Sequence, residues 1–190
     1  MKIGFFGGCF NPPTNVHIDI ASELIKKKIV DKVIFIPIGD YYKKESLLSI
    51  TKRCKMLELA IESKENIEID NFEKDIKTTI YAVDAFKLIT EKYSNHDIYF
   101  IMGSDNFNKI QNWKDYEQII DKYKYIVIKR NAEEILENKE NIIIFTPKKQ
   151  YNYDSTVVRA RIKEGKSVEN LIDKNVLEYI KQNDLYKKLK

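Results

Sequence analysis

An α/β fold with a doubly wound, mostly parallel sheet and helices on both faces is predicted by three observations. Short apolar, β-branched runs alternate with longer segments of helical period along the 190-residue chain. The runs have strand length and end in Gly, Pro, Asn or charged residues. Polar, glycine-containing segments follow three of them, which is where ligands bind in open α/β sheets.

The strands are expected at 2–6, 32–37, 67–70, 97–102, 123–128 and 141–145, and the helices between them at 15–28, 48–63, 79–93, 113–121 and 131–138. The second helix carries Cys54, Met56, Leu57, Ala60 and Ile61 at helical spacing, with Ser49 or Thr51 near its start. Beyond the last strand the pattern changes. Ser155 begins a helix that ends near Gly165, and Asp173 caps another with Val176, Leu177 and Ile180 on one face. No linker, repeat or low-complexity segment intervenes. The expectation is a Rossmann-like single domain over 1–190 with a helical C-terminal extension from about 155.

Composition narrows the class. A chain with 43% hydrophobic and 33% charged residues carries enough apolar surface for a core, which excludes a disordered polymer. No run reaches the ~18 apolar residues of a membrane helix. The opening residues Met1–Phe6 are apolar too briefly for a signal peptide, so the chain reads as cytoplasmic with no membrane partner. Cys9 and Cys54 as the only cysteines do not form a disulfide framework, and with only His17 and His96 beside them no protein-held metal site is expected. The net charge of +4 is spread over lysines interleaved with acids, so a solvated surface is favoured over a nucleic-acid stripe.

The segment after the first strand is the most informative. Gly7-Gly8 permits tight turning and close backbone approach, and Asn11-Pro12-Pro13 stiffens the loop. Thr14 and His17 follow three residues apart, which puts both side chains on one face of a first helical turn. The helix N-terminus there offers N–H groups and a positive dipole end to phosphate. Neither G-x-G-x-x-G nor a Walker A sequence is present. Gly165-Lys166-Ser167 only imitates the latter, since Ala160 stands at its first glycine, and it reads as a helix C-cap.

Gly7-Gly8-Cys9-Phe10-Asn11-Pro12-Pro13-Thr14-Asn15-Val16-His17 resembles the first signature of the nucleotidylyltransferase superfamily, and Asp154-Ser155-Thr156-Val157-Val158-Arg159 resembles its second. From Phe5 to Tyr186 the chain is similar to the bacterial nicotinate-nucleotide adenylyltransferases. The resemblance implies that a mononucleotide phosphate attacks the α-phosphorus of ATP and displaces pyrophosphate, by positioning and charge stabilisation. His17 then donates to the α-phosphate and Thr14 adds a hydroxyl. Gly7, Gly8, Phe10 and Asn11 form the ATP loop, Gly103 and Asp105 meet the ribose, and Ser155, Thr156 and Arg159 hold the outer phosphates. Mg²⁺ arrives with ATP. Lys43, Lys44, Tyr81 and Trp113 fall at acceptor positions, with Arg53 near them. His17, Thr14, Ser155 and Arg159 are expected to converge on one cleft.

Plainer readings stand beside these. Asp105 also suits an N-cap, Ser155 and Thr156 suit caps, Trp113 suits a core anchor, and His96 suits a surface loop. Thr14 replaces a histidine of the subgroup, Val16 a glycine, Ala82 a threonine and Asp154 a serine, and Asp40-Tyr41-Tyr42-Lys43-Lys44 replaces Pro-Pro-His-Lys. An Asp154 facing polyphosphate would repel it. The leading acceptor is nicotinate mononucleotide. The alternatives are nicotinamide mononucleotide, phosphopantetheine or a sugar phosphate, or a regulatory paralogue that binds nucleotide without turnover. A homo-oligomer is left open.

Overall fold

The structure is a computed structural model that describes residues 1–44, 46–129, 135 and 139–187. Among these residues six strands form one sheet: β1 (Lys2–Gly8), β2 (Lys32–Pro37), β3 (Ile67–Ile69), β4 (Asp97–Gly103), β5 (Lys124–Ile128) and β6 (Ile142–Phe145). Their order is β3-β2-β1-β4-β5-β6, and every pairing is parallel. Strand order therefore reverses between β1 and β4. The crevice above their carboxyl ends is the topological switch point where this architecture binds ligands.

The alternation of side chains along the strands builds two cores. Phe6, Phe35, Ile101 and Ile126 face one side, and Phe5, Ile34, Phe100 and Tyr125 face the other. The first side is covered by α1 (Asn15–Lys26) and α2 (Ile50–Ile61), the second by α3 (Ala82–Lys92) and the short α4 (Ser104–Phe107) and α5 (Glu117–Ile120). Gly4 admits close packing, because a Cβ there would lie 2.6 Å from Ile101 Cδ1 and the Ile101 side chain would have to shift.

The C-terminal helices α6 (Ser155–Lys163) and α7 (Lys174–Gln182) also join the first core. Val158, Val168, Ile172, Val176, Ile180 and Leu185 are buried among the residues of α1 and α2. Asp173 caps α7 by accepting the Asn175 N–H. Gly165 follows α6 at φ 70°, with its own N–H bonded to Ile162 O and the Lys166 N–H to Arg161 O. This is a Schellman ending, so the Walker lookalike is a C-cap.

Several boundaries differ from expectation for local reasons. The helix expected at 113–121 contracts to α5 because Asp115 takes φ 54°, a left-handed conformation that a helix cannot continue through. The helix expected from 79 begins at Ala82, with Tyr81 in extended N-cap geometry. Ser49 makes no side-chain cap to α2. Asp40, from the loop after β2, accepts the Ile50 N–H at 2.6 Å instead. The helix expected at 131–138 lies, apart from residue 135, outside the described residues.

Candidate active site

The loop after β1 is shaped by neighbours far away in sequence. Gly7 and Gly8 lie within the strand, so the turn expected of them is made by Phe10 at φ 46° and a cis Asn11–Pro12 peptide. A Cβ on Gly8 would press on the Phe10 ring at 3.0 Å, whereas one on Gly7 would meet nothing within 4 Å. Gly7 therefore presents open backbone to the crevice, and Gly8 admits the buried Phe10 ring. That ring packs edge-on against Phe35 and His17, with centroids 5.1 and 5.2 Å away.

Thr14 is the N-cap of α1 and His17 its third residue. His17 Nδ1 accepts the Thr14 backbone N–H at 3.0 Å and lies 2.9 Å from its hydroxyl. Imidazole here fills the place that Glu or Gln takes in a capping box. Because Nδ1 accepts a backbone donor, the ring proton sits on Nε2. Two constraints, the Thr14 backbone and the Phe10 ring, thus fix both the tautomer and the orientation of His17.

A cavity of about 390 Å³ opens beside this helix. Thr14, Val16, His17 and Ile20 of α1 form one wall, and residues 147 and 149–154, between β6 and α6, form the opposite one. Lys129 lines it from the end of β5, while Asp154 and Val157 bring the start of α6 to its rim. The Val16 side chain faces this space, where it adds bulk to the α1 wall.

The second signature docks onto the first. Ser155 donates its hydroxyl to Pro12 O, and the Arg159 guanidinium donates to Asn11 O, both at 2.8 Å. Arg159 also reaches Thr156 Oγ1 at 3.4 Å. The cap of α6 is Asp154, not Ser155 or Thr156: its carboxylate accepts the Thr156 and Val157 N–H groups. That turns the Asp154 charge onto its own helix and occupies two of the N–H groups expected to face phosphate. Likewise the Asn15 N–H of α1 is donated to Leu171 O.

Asn11 acts as a tie. Its side chain donates to Ser46 O and accepts from the Leu48 N–H and the Tyr186 hydroxyl, at 2.8, 3.3 and 2.8 Å. It joins the β1 loop, the β2 loop and the C-terminus, and is 4% exposed. Arg53 performs the same task from α2. Wholly buried, it donates to Leu48 O, Cys9 O, Ile38 O and the Asp40 carboxylate, so it faces protein rather than an open acceptor pocket.

The expected acceptor residues occupy two places. Lys43 and Lys44 lie in the loop after β2 and line a shallow recess with Asp40, Tyr42, Leu47 and Ser49. Tyr81 and Trp113 lie on the α3 side of the sheet. Tyr81 is 45% exposed, with the Lys114 ammonium 4.4 Å above its ring. Trp113 is half-buried, its ring in a T-shaped pair with Phe86 at 6.5 Å between centroids, so it anchors to the core and still presents surface. Gly103 caps α4 at the end of β4, which excludes the capping reading of Asp105; Asp105 stands half-buried in the first turn.

Two groups carried no motif. Glu73, on the 3₁₀ turn Phe72–Asp75, is 4% exposed and accepts the Gly39 N–H and the Tyr41 hydroxyl, both at 2.7 Å. Burial pushes its carboxyl above the ordinary value of 4.5, against the opposing pull of Tyr41, Gly39 and Arg53. The other is the 149–153 wall of the cavity. Neither has a spacing that sequence reasoning recognises, because each is defined by what the fold puts opposite it.

Among the described residues no group of three His, Cys, Asp or Glu side chains could hold a metal ion, and no helix is long and apolar enough to cross a membrane. His96 lies exposed in a turn before β4.

Comparison with known proteins places the chain. The profile of the cytidylyltransferase-like family matches residues 5–161. A probable nicotinate-nucleotide adenylyltransferase of Borrelia turicatae is 34% identical over 99% of both chains. The nicotinate-nucleotide adenylyltransferase of Bacillus subtilis is 28% identical over 97% of this chain and 98% of that one. In fold, the chain is similar to the Plasmodium falciparum nicotinic acid mononucleotide adenylyltransferase complexed with NaAD, with a TM-score of 0.83 and 18% identity over 97% of each chain. The chain therefore belongs to the cytidylyltransferase-like family, and within it to the nicotinate-nucleotide adenylyltransferases.

Proposed function

We propose that this protein transfers the adenylyl group of ATP to nicotinate mononucleotide, giving deamido-NAD and pyrophosphate. The observation that carries the reading is His17. It is locked by Thr14 into the tautomer with its proton on Nε2, and it lines the 390 Å³ cavity next to the start of α6. An oxygen of the mononucleotide phosphate attacks the α-phosphorus, the bond from that phosphorus to the bridging oxygen breaks, and pyrophosphate leaves with its electron pair. No covalent enzyme intermediate is needed, so catalysis comes from alignment and from donors aimed at developing charge.

In this scheme ATP lies along the α1 wall, and His17 donates to the α-phosphate with Thr14 beside it. Gly7 lets the phosphate approach the backbone, Arg159 and Thr156 receive the outer phosphates, and Asp105 receives the ribose. Ser155, Phe10 and Asn11 support the loop rather than touch nucleotide, since their groups already bond or pack within the protein. Mg²⁺ enters as a ligand of the triphosphate, in keeping with its preference for phosphate oxygens and water. Lys43, Lys44, Tyr81 and Trp113 flank the acceptor. Two free thiols, Cys9 and Cys54, support a cytoplasmic setting.

The test is pyrophosphate release from ATP with a panel of acceptors, comparing wild type with His17→Ala. We expect nicotinate mononucleotide to be the best acceptor and the substitution to lower kcat by about 10²- to 10³-fold, as for loss of one transition-state donor. Undiminished turnover in His17→Ala would remove the mechanism. No turnover with any acceptor, alongside tight ATP binding, would leave a nucleotide-binding regulator.

A further inference from the structure

Half of the described residues that line the nucleotide cavity come from a strap, residues 146–154, that has no regular secondary structure. A strand or helix is held by its own ladder, whereas this strap depends on ties made by its individual residues. Two run to successive turns on the outer side of α1. The Tyr151 hydroxyl donates to the Asp19 carboxylate at 2.5 Å, and the Lys148 N–H donates to both oxygens of Glu23, at 3.1 and 3.2 Å. Glu23 is itself held by Lys27 at 2.7 Å. The Tyr151 ring stands edge-on to Tyr153, with the Lys149 ammonium 4.8 Å above it.

Resting on the adenylyl-transfer reading, we propose that Asp19 and Glu23 are positioning residues for ATP: they latch the strap to α1 and so hold the nucleotide cavity at its working width. Neither lines the cavity. Both act through the wall that the strap forms, and the same helix carries His17, so the latch also fixes the distance between the catalytic imidazole and the opposite wall. With a tie removed, the strap spends less time in the competent position, and the apparent affinity for ATP falls by that fraction. The mononucleotide, proposed to bind on the Lys43 and Tyr81 side, is unaffected.

Electrostatics gives this inference a distinctive sign. Asp19 is a negative charge near a pocket for a polyanion, so its removal by charge alone would tighten ATP binding. Removal through the latch loosens it.

The experiment measures the Kd of the full-length chain for a non-hydrolysable ATP analogue with Mg²⁺ by calorimetry, and KM for each substrate. The variants are Asp19→Ala, Tyr151→Phe, their double mutant and Glu23→Ala. Tyr151→Phe keeps the ring and its packing, and thermal unfolding checks that every variant is folded. Each single substitution is expected to raise Kd and KM for ATP about fivefold with KM for the mononucleotide unchanged, the size of one charge-assisted hydrogen bond partly replaced by water. The Asp19→Ala, Tyr151→Phe double mutant is expected to be no worse than the weaker single, because both remove the same bond. Unchanged or tighter ATP binding in Asp19→Ala, or additive effects in the double mutant, would overturn the proposal. Wild type that binds ATP but uses no acceptor would refute the proposed reaction and leave the latch to be decided by Kd. Wild type that does not bind ATP would overturn both.

Discussion

Replacing Arg53 by methionine should cost this protein a large share of its stability, and the amount follows from four bonds. The guanidinium is fully buried and donates at 2.7 Å to Leu48 O, 3.0 Å to Cys9 O, 2.5 Å to Ile38 O and 3.1 Å to Asp40 Oδ1. Methionine keeps an apolar stem of similar reach, so no large void opens. Asp40 is half exposed and still accepts the Ile50 N–H, so its loss is small. The three carbonyls lie in partly buried backbone, and each left without a donor costs about 1–3 kcal/mol. Removing a buried charge recovers part of its own desolvation, which brings the net loss to about 3–5 kcal/mol. Domains of this kind are stable by about 5–15 kcal/mol, so the variant should fold but unfold at a much lower urea concentration. Urea titration by circular dichroism measures it. Arg53→Lys should fall between the two, since an ammonium cannot span three carbonyls in a fork. An Arg53→Met variant within about 1 kcal/mol of wild type would refute the reasoning.

Two further outcomes follow from the site. Burial raises the Glu73 pKa above 4.5, so its contribution is fully present at low pH and is lost as pH rises through the folded pKa. Glu73→Gln keeps an acceptor for the Gly39 N–H and Tyr41 hydroxyl without the charge, so its Tm relative to wild type should climb as pH is raised from 4 to 8; a Tm difference that falls instead would contradict the burial argument. Asp154→Ala removes the cap of α6 and should cost about 1 kcal/mol, a Tm drop of roughly 2–4 °C by scanning calorimetry. An unchanged Tm would show that the cap contributes nothing.

The alternation of β-branched runs and helical periods was legible because each follows from local stereochemistry: side chains alternate on a strand and recur every 3.6 residues on a helix. Hence all six strands and the helices α1 and α2 stand within two residues of where the pattern puts them, while α3 starts at Ala82, three residues later than expected. The helix expected at 113–121 is cut down to Glu117–Ile120 because a single left-handed residue, Asp115, is not visible as a break in apolar periodicity. In the site, Gly7 to His17 could be read because the chemistry lies within eleven consecutive residues. The structural roles of Arg53, Glu73 and Asp19 could not, because their partners lie 5 to 132 residues away and nothing local announces those pairings.

By itself, then, the amino-acid sequence determined the βα pattern, the parallel sheet and the segment that carries His17, all properties of near neighbours on the chain. Only the tertiary structure decided that the turn belongs to Phe10 rather than to Gly7 and Gly8, and that Asp154 faces its own helix. It also decided that Ser155 and Arg159 brace the β1 loop and that residues 147 and 149–154 form the cavity wall opposite α1. Those outcomes depend on which polar groups meet once the two cores have packed. A hydrogen-bond donor is committed by the acceptor the fold places within reach, and the chain order does not specify that distance.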